Sequence, residues 1–283
     1  MALLLTLARG AVAGVGKRPA AFRGELPELR LSRPGVRIDA ARLAAYAEVC
    51  GFADPGSGVL PLTYPHILGF PLAARIMAAR AFPLPLAGLV HTGTTISARG
   101  ALRVTDRPEL SVRTEGLRAH RRGTEVVLVT RARLGGEVVW EDRSTYLARH
   151  RVADGAGARA AERPAGGETA GELPEREVWP LPADLGRRHA RVSGDWNPIH
   201  LYAWTARPLG FRRPIVHGMW TLARCVAVRP EVRYVSVEFR RPVPLPATVH
   251  YAAQGPDFAL RGPDGVVHLV GRAGLTASSA RRA

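Results

Sequence analysis

The chain has 283 residues, 46% of them hydrophobic, which is enough for one large domain or two of ordinary size around a buried core. Its formal net charge of +16 is typical of nucleic-acid-binding proteins, but Lys17 is the sole lysine and the other 39 basic residues are arginines scattered along the chain. Because no nucleic-acid-binding motif accompanies the charge, composition disfavours a nucleic-acid partner and favours an acidic or phosphate-bearing one.

Residues 1–23 are predicted to form an N-terminal extension. Their apolar run, Met1–Ala8, has no charged leader and is broken at Arg9. It is shorter than the roughly 20 apolar residues that a membrane-spanning helix needs, so we expect neither a secretory signal nor a membrane span. The two isolated cysteines, Cys50 and Cys225, have no disulfide or metal-ligand spacing, which favours the reducing cytoplasm.

A stretch over residues 151–177 is rich in Ala, Gly, Glu and Pro and has almost no large apolar residue. Such a composition cannot bury a core, so it predicts a flexible linker. The linker divides the chain into a front half, residues 24–150, and a back half, residues 178–279.

The two halves read as repeats of one unit. A helical pattern over Ala40–Gly51 in the front half matches Ala183–Gly194 in the back half, and both end in glycine. Further on, Gly69 and Gly218 each precede an apolar run whose spacing predicts a buried helix. The repeat is therefore expected to place one long helix in each half.

Strand-like segments follow each of these helices. In the front half, Glu125–Thr130 and Glu137–Trp140 flank Gly135-Gly136, a hairpin signal. In the back half, three such segments are separated by Pro/Gly turns: Val235–Phe239, Thr248–Tyr251 and Val266–Val270. Each half is thus predicted to be an α+β unit, a long helix against an antiparallel sheet.

The most informative stretch is Ser193–His200, with the sequence SGDWNPIH. Asn197 followed by proline is typical of a helix start, which places His200 in the first turn and Asp195 in the preceding loop. A carboxylate and an imidazole at this spacing can face one small site. Such a pair can hold a water or hydroxyl between them and move its proton.

A second segment, Pro214–Met219, has the sequence PIVHGM and is predicted to open the apolar helix of the back half. A glycine at this helix start lets the Gly218 N–H approach a ligand closely. A carbonyl oxygen bound there would be polarised, as in an oxyanion hole. Together with an acid/base pair, this arrangement suits addition or elimination of water next to a carbonyl.

Taken singly, these residues have simpler interpretations. Asp195 and Asn197 could cap a helix, and His200 could be a structural histidine. His217 is interpreted as a structural residue that orients the loop. The spaced combination of Asp195, His200 and Gly218 is much harder to obtain by chance, and it favours the chemical interpretation.

The front half has no evident counterpart of this site. Gly51 is followed by Phe52 where Gly194 is followed by Asp195. The other front-half candidates, Tyr64, His66 and His91, match no catalytic pattern and are expected to be core or lining residues.

Ser193–His200, Gly210-Phe211 and Pro214–Met219 together resemble the signature of MaoC-like (R)-specific enoyl hydratases. The resemblance implies a hot-dog fold, in which a curved antiparallel sheet wraps a long helix, and reversible syn hydration of trans-2-enoyl thioesters to (3R)-3-hydroxyacyl thioesters. The whole chain is also similar to two-repeat actinobacterial (3R)-hydroxyacyl-thioester dehydratases through Ala45–Phe52 and Leu62–His66. That similarity implies a double hot-dog.

By the same resemblance, Asp195 and His200 bind and activate the catalytic water and the Gly218 N–H holds the thioester oxygen. The residues expected to support the loop are Ser193, Gly194, Asn197 and His217. The resemblance implies that the front half has lost its catalytic residues and gives its space to the acyl chain. It implies no metal and no redox cofactor.

We therefore expect a cytoplasmic hydro-lyase that acts on acyl chains linked to CoA or to an acyl-carrier protein, in fatty-acid or related lipid or polyketide metabolism. An acidic carrier protein would suit the positive charge. The chain is expected to be a monomeric pseudo-dimer or a homodimer. The alternatives are a non-catalytic acyl-thioester-binding subunit, a thioesterase on the same fold, and an arginine-driven nucleic-acid binder.

Overall fold

A computed structural model of the chain describes residues 26–53, 58–86, 88–151 and 173–276. The expected N-terminal extension, residues 1–23, lies outside the described residues, as do residues 152–172 of the expected linker. The predicted end of the linker at residue 177 is wrong. Residues from Glu175 onward already form a strand, because their backbone pairs with a strand of the sheet.

Ten strands form one antiparallel sheet within the described residues. The strands of the front half are β1 (Arg30–Arg33), β2 (Leu89–Ala98), β3 (Glu109–His120), β4 (Gly123–Leu134) and β5 (Glu137–Arg149). Those that follow are β6 (Glu175–Leu181), β7 (Tyr234–Phe239), β8 (Ala247–Gln254), β9 (Asp257–Arg261) and β10 (Val267–Gly274). The predicted hairpin is confirmed, since Gly135 and Gly136 join β4 to β5 with φ angles of 58° and 86°.

The strand order across the sheet is β1-β3-β4-β5-β2-β7-β10-β9-β8-β6. From the centre outward, each set of five strands follows the same chain order: second, fifth, fourth, third, first. The two sets meet where β2 pairs with β7, with Thr94 opposite Val237. This internal symmetry confirms the expected double hot-dog, two repeats of one α+β unit joined edge to edge.

The helices are α1 (Ala40–Cys50), α2 (Tyr64–Ala78), α3 (Leu185–Ser193), α4 (Ala203–Ala206) and α5 (Gly218–Ala227). Two single 3₁₀ turns, Pro198–His200 and Arg207–Leu209, lie between α3 and α5. The long helices α2 and α5 supply much of the core, and both cysteines are buried and free. Within the described ranges, no helix has the length and apolar character to cross a membrane.

The start of the front-half helix differs from the prediction. The sequence pattern places Gly69 at the head of the helix, but α2 begins at Tyr64, because a proline stands in its first turn after Thr63. Gly69 therefore lies inside the helix and packs against the sheet, and a Cβ added there would lie 2.6 Å from Thr130 Cγ2. The back-half helix, in contrast, begins at Gly218 as predicted.

The halves also meet through α1 and α3, which pack against each other and end at matching glycines. Gly51 and Gly194 both adopt left-handed backbone angles, with φ of 77° and 82°. A side chain is strained in that region, so glycine is required at both turns. The turn at Gly194 sends the chain directly into the Asp195 loop.

Candidate active site

The two halves enclose a cavity of about 890 Å³. All but one of the predicted site residues line it: Ser193, Asp195, Asn197, His200, His217 and Gly218. The exception, Gly194, is the left-handed residue that ends α3. The structure thus brings the two sequence segments, Ser193–His200 and Pro214–Met219, to one site.

The loop that carries Asp195 is held by short local hydrogen bonds. The Asp195 N–H donates to Ser193 Oγ at 3.1 Å, and the Asn197 N–H donates to Asp195 Oδ1 at 3.1 Å. The other carboxylate oxygen, Oδ2, lies 3.9 Å from His217 Nε2. The Asp195 side chain is 26% exposed, so this oxygen stays available to a small molecule in the cavity.

Asn197 starts a helical turn, as predicted, with its side chain accepting a hydrogen bond from the Ile199 N–H at 3.4 Å. The turn is shorter than expected, a single 3₁₀ turn that ends at His200. Gly186 of α3, which no sequence pattern indicates, leaves space for this turn. A Cβ at Gly186 of α3 would lie 2.0 Å from the His200 carbonyl oxygen, so only glycine lets the turn pack there.

His200 presents an unprotonated nitrogen. Its Nδ1–H donates to the Ile215 carbonyl at 2.7 Å, and since a carbonyl only accepts, the proton of the neutral ring is on Nδ1. Burial, reinforced by the neighbouring His217, lowers the pKa of His200 to about 3. The ring is therefore neutral near pH 7, and Nε2 can accept a proton.

His217 joins the helix start to the loop. Its Nε2–H donates to the Asp195 carbonyl at 2.9 Å, and its ring stacks on His200 with centroids 3.7 Å apart. Burial lowers the pKa of His217 to about 4, so this ring is also neutral near pH 7. It therefore holds the backbone of Asp195 against the first turn of α5.

Gly218 is the first residue of α5, where the backbone N–H groups have no partner inside the helix. Among the described residues, the Gly218 N–H makes no hydrogen bond. A Cβ at this position would lie 3.2 Å from the Phe239 ring, which indicates why glycine is placed here. The N–H is thus free to bind an oxygen in the cavity, where the positive end of the helix favours negative charge.

Asp195, His200 and His217 each offer a possible ligand atom, and these atoms lie within 4.8 Å of one another. One carboxylate and two imidazoles are a donor set that can hold a divalent cation. The same groups can instead hold a water between the Asp195 carboxylate and His200 Nε2. The family resemblance implies no metal.

The front half supports the loop from outside. The guanidinium of Arg42 on α1 donates to the Val192 carbonyl at 2.7 Å and to the Ser193 carbonyl at 3.0 Å. These contacts join residues about 150 positions apart, and nothing in the local sequence pattern indicates them. Phe52, the front-half counterpart of Asp195, packs on Tyr46 with ring centroids 6.1 Å apart.

The front half also supplies a polar wall of the cavity, on which the predicted lining residues His66 and His91 lie. His66 is paired with the fully buried Asp142, and His91 stacks on Tyr146 with ring centroids 4.6 Å apart. Burial, with smaller effects of the Asp142 and Asp195 carboxylates, raises the pKa of Tyr146, which remains a neutral phenol. Neither Asp142 nor Tyr146 is identified by the sequence pattern.

Comparison with known proteins relates both the sequence and the fold to one group. Residues 168–258 match the MaoC like domain family. Over 243 residues the chain is 35% identical to 3-hydroxyacyl-thioester dehydratase X of Mycobacterium tuberculosis, with 82% of each protein covered. The crystal structure of HtdX from that organism matches with a TM-score of 0.73 at 33% identity, over 87% of this chain and 99% of the other. A MaoC-like dehydratase from Phytophthora capsici shares the fold, with a TM-score of 0.71 at 18% identity over 90% and 97% of the two chains.

Proposed function

Since the chain belongs to the family of MaoC-like dehydratases, we propose that it is a 3-hydroxyacyl-thioester dehydratase, a hydro-lyase that acts on acyl thioesters. The reaction is the reversible loss of water from a (3R)-3-hydroxyacyl thioester to give a trans-2-enoyl thioester. One observation carries the proposal. The Asp195 carboxylate, the free nitrogen of His200 and the Gly218 N–H all line one cavity.

His200 is the group that we assign to proton transfer. Its Nε2 is unprotonated because Nδ1 holds the ring proton against the Ile215 carbonyl. In the dehydration direction Nε2 takes the proton from C2, the C2=C3 double bond forms and the C3–O bond breaks. The same proton passes to the departing oxygen, which leaves as water. Asp195, as a carboxylate, accepts a hydrogen bond from that hydroxyl and holds it beside His200.

Gly218 is assigned to the thioester carbonyl. Loss of the C2 proton develops negative charge on the carbonyl oxygen, and the free N–H at the start of α5 is a fixed donor for that charge. The donor is already oriented in the protein, so no group has to reorganise as the charge forms. Ser193, Gly194, Asn197 and His217 support the site by fixing the loop and the turn around it.

The acyl chain is assigned to the front half of the cavity. The apolar lining there comes mainly from α2 and the segment after it, through Ile67, Phe70, Met77 and Leu86. We propose accordingly that residues 24–150 are a non-catalytic repeat that shapes the acyl tunnel. Residues 178–279 are then the catalytic repeat.

Arginines at the cavity edge support a phosphate-bearing carrier. Four exposed arginines of the β3–β4 hairpin and the end of β5 line the opening: Arg118, Arg121, Arg122 and Arg149. None of them forms an ion pair with another described residue. Guanidinium groups bind phosphates well, so these side chains suit CoA, or an acyl-carrier protein with its phosphate-linked arm and acidic surface. A nucleic-acid partner is not needed to explain them.

Two further properties complete the proposal. The buried free thiols of Cys50 and Cys225 suit a reducing compartment, so we place the protein in the cytoplasm.

Because the two repeats pair within one chain through β2 and β7, a monomeric pseudo-dimer can form the whole site, and a homodimer would add a second complete site. Size-exclusion chromatography with light scattering distinguishes the two.

A direct assay tests the proposed function. Purified protein is mixed with a trans-2-enoyl-CoA, and the absorbance of the conjugated enoyl thioester and the concentration of free thiol are followed together. A dehydratase lowers the absorbance without releasing thiol and forms the (3R)-hydroxyacyl product. Release of free CoA would identify a thioesterase instead, and binding without turnover would identify a non-catalytic acyl-thioester-binding subunit.

A further inference from the structure

The front half contains a buried histidine–aspartate pair that the dehydration step does not use. Asp142 of β5 is fully buried and accepts hydrogen bonds from His66 Nδ1 at 2.5 Å and Ser144 Oγ at 2.9 Å, and also from Thr94 Oγ1. Burial opposes ionisation of Asp142, but the facing His66 and these hydrogen bonds lower its pKa overall. The group is therefore a buried carboxylate whose partners fix the His66 ring.

One nitrogen of that ring has no assigned role. His66 Nδ1 is bound to Asp142, and Nε2 has no hydrogen-bond partner among the described residues. His66 is only 7% exposed and lines the same cavity as Asp195. A hydrocarbon chain packed against this ring would leave Nε2 buried without a partner, which is unfavourable.

The surroundings of His66 are polar as well. The His91 ring stacks at 6.0 Å from His66, and its Nε2 is buried without a partner among the described residues. Thr94 and Tyr146 line the same wall. These side chains lie beside the apolar surface of Ile67 and Phe70, so this part of the cavity is not a uniform hydrocarbon tunnel.

Phe239 relates this wall to the start of α5. The Phe239 ring lies 3.2 Å from the Cβ position of Gly218 on one side, and its centroid lies 5.0 Å from that of His91 on the other. The Phe239 ring thus lies between Gly218 and His91, and His91 in turn stacks on His66. An acyl chain that starts at Gly218 and runs past Phe239 would reach this histidine pair farther along its length.

We propose that the front half holds a recognition site for a hydroxyl group on the acyl chain, with His66 Nε2 as the hydrogen-bonding atom and Asp142 as the residue that positions it. A hydroxyl suits His66 in both protonation states, because it donates to a bare Nε2 and accepts from an Nε2–H. The substrate class is then a 3-hydroxyacyl thioester with a second hydroxyl farther along the chain. This inference rests on the proposed function, since it assigns the chain to the cavity.

Calorimetric binding of non-reacting saturated acyl-CoAs tests the site without requiring turnover. Pairs of equal chain length are compared, one unsubstituted and one with a single hydroxyl moved along the chain from C5 outward. When the hydroxyl stands at the carbon that reaches His66, the hydroxylated chain should bind the wild type about five- to tenfold more tightly than the unsubstituted chain. That ratio corresponds to the net free energy of one hydrogen bond. Equal binding at every position would overturn the inference.

Variants assign the effect to His66. His66→Leu should abolish the preference and bind the unsubstituted chain at least as well as the wild type. Asp142→Asn, which keeps the side-chain volume, should weaken the preference with little change for the unsubstituted chain. The matched control is His250→Leu. His250 lies outside the cavity, where its Nδ1 is 2.6 Å from Glu175 Oε2, so its loss should leave the ratio of the two affinities unchanged. A preference that survives in His66→Leu would overturn the assignment.

The two proposals fail in different ways. If the unsubstituted enoyl-CoA is hydrated but no hydroxylated chain binds better, only the hydroxyl site is wrong. If hydroxylated chains bind better but no enoyl-CoA is hydrated, the dehydratase proposal is wrong and the binding site stands. Absence of binding by every acyl-CoA would overturn both.

Discussion

Gly69 and Gly218 occupy corresponding places in the two repeats, but their backbone N–H groups have different surroundings. Gly218 is the first residue of α5, so its N–H is open to the cavity. Gly69 lies inside α2, which starts at Tyr64, so its N–H is within the helical hydrogen-bond ladder. The position of a helix start, and not the glycine itself, decides which repeat can bind an oxygen.

The loops before these helices differ as well, because only the back-half loop begins with a residue that lines the cavity. Both follow a left-handed glycine, Gly51 or Gly194, at the end of a helix. In the back half the next residue is Asp195, which lines the cavity, and in the front half it is Phe52, which packs on Tyr46. One scaffold therefore supplies the residues of the proposed site in one copy and packing in the other. The predictions for His200, Gly218 and Asp195 test this difference, and those for Arg42 and His189 test how the two halves support each other and how they differ in stability.

The largest effect is expected for His200→Ala. Loss of a general acid/base typically lowers the rate by about 10²- to 10⁴-fold, and kcat for hydration of a trans-2-enoyl-CoA should fall by that factor. The thermal unfolding temperature serves to confirm that the variant is folded. His250→Ala, which alters a histidine outside the cavity, should retain wild-type kcat, and an equal loss in both variants would contradict the assignment.

Gly218→Pro tests the oxyanion donor. Proline removes the N–H and is tolerated at the first position of a helix, and His217 before it has extended backbone angles that suit a following proline. We expect kcat to fall by about 10²- to 10³-fold. Gly218→Ala is the matched control, because it adds the same Cβ near Phe239 but keeps the N–H. If both variants lose the same activity, crowding explains the loss and the donor role is wrong.

Arg42→Ala tests the support that the front half gives to the back half. Its two hydrogen bonds to the Val192 and Ser193 carbonyls would be lost, and we expect the free energy of unfolding to fall by about 1–2 kcal/mol. Urea unfolding measures the change. Arg188→Ala, which removes only a surface pair 4.0 Å from the exposed Glu48, should change stability by less than about 1 kcal/mol.

The effect that is smallest at neutral pH concerns acid sensitivity at His189, the back-half counterpart of Tyr46. His189 is buried, and neither of its ring nitrogens has a partner among the described residues. Burial lowers its pKa well below 6.5, so the unfolded chain takes up a proton that the folded chain excludes. Its contribution to stability is thus present above pH 6.5 and lost as the pH falls below it.

His189→Asn should reduce this acid loss. The free energy of unfolding, measured by urea titration at several pH values, should fall with a slope smaller by about 1.4 kcal/mol per pH unit below pH 6.5. The slope is compared rather than the absolute stability, because the smaller side chain also changes packing. An unchanged slope would show that His189 takes up its proton in the folded protein as readily as in the unfolded chain.

The sequence predicts what depends on neighbouring residues. The glycine-ended helices, the Gly135-Gly136 hairpin, the turn at Asn197 and the helix start at Gly218 all follow from local propensity and capping, and the structure confirms them. The double repeat follows from matching the two halves of the sequence, and the resemblance to a known family added the hot-dog fold.

The sequence does not predict contacts between distant segments. His66 and Asp142 are 76 residues apart and Arg42 and Val192 are 150 apart, so no spacing rule connects them. The match of Gly69 to Gly218 predicts a helix start at Gly69, which is wrong, because α2 begins at Tyr64 with Pro65 in its first turn. The sequence pattern does not predict five of the strands, β1, β2, β3, β6 and β9. In β2 and β3, small, polar and charged residues interrupt the alternation.

The most direct test of the account is the steady-state hydration rate of Asp195→Asn, measured per chain against the wild type with one trans-2-enoyl-CoA. Asparagine keeps the shape of Asp195 but removes its charge, and Asp195 belongs to the single reactive site that the account assigns to each chain. We predict that less than about 1% of wild-type kcat remains. A residual rate near half of the wild type would contradict the account, because the front half would then carry a second working site.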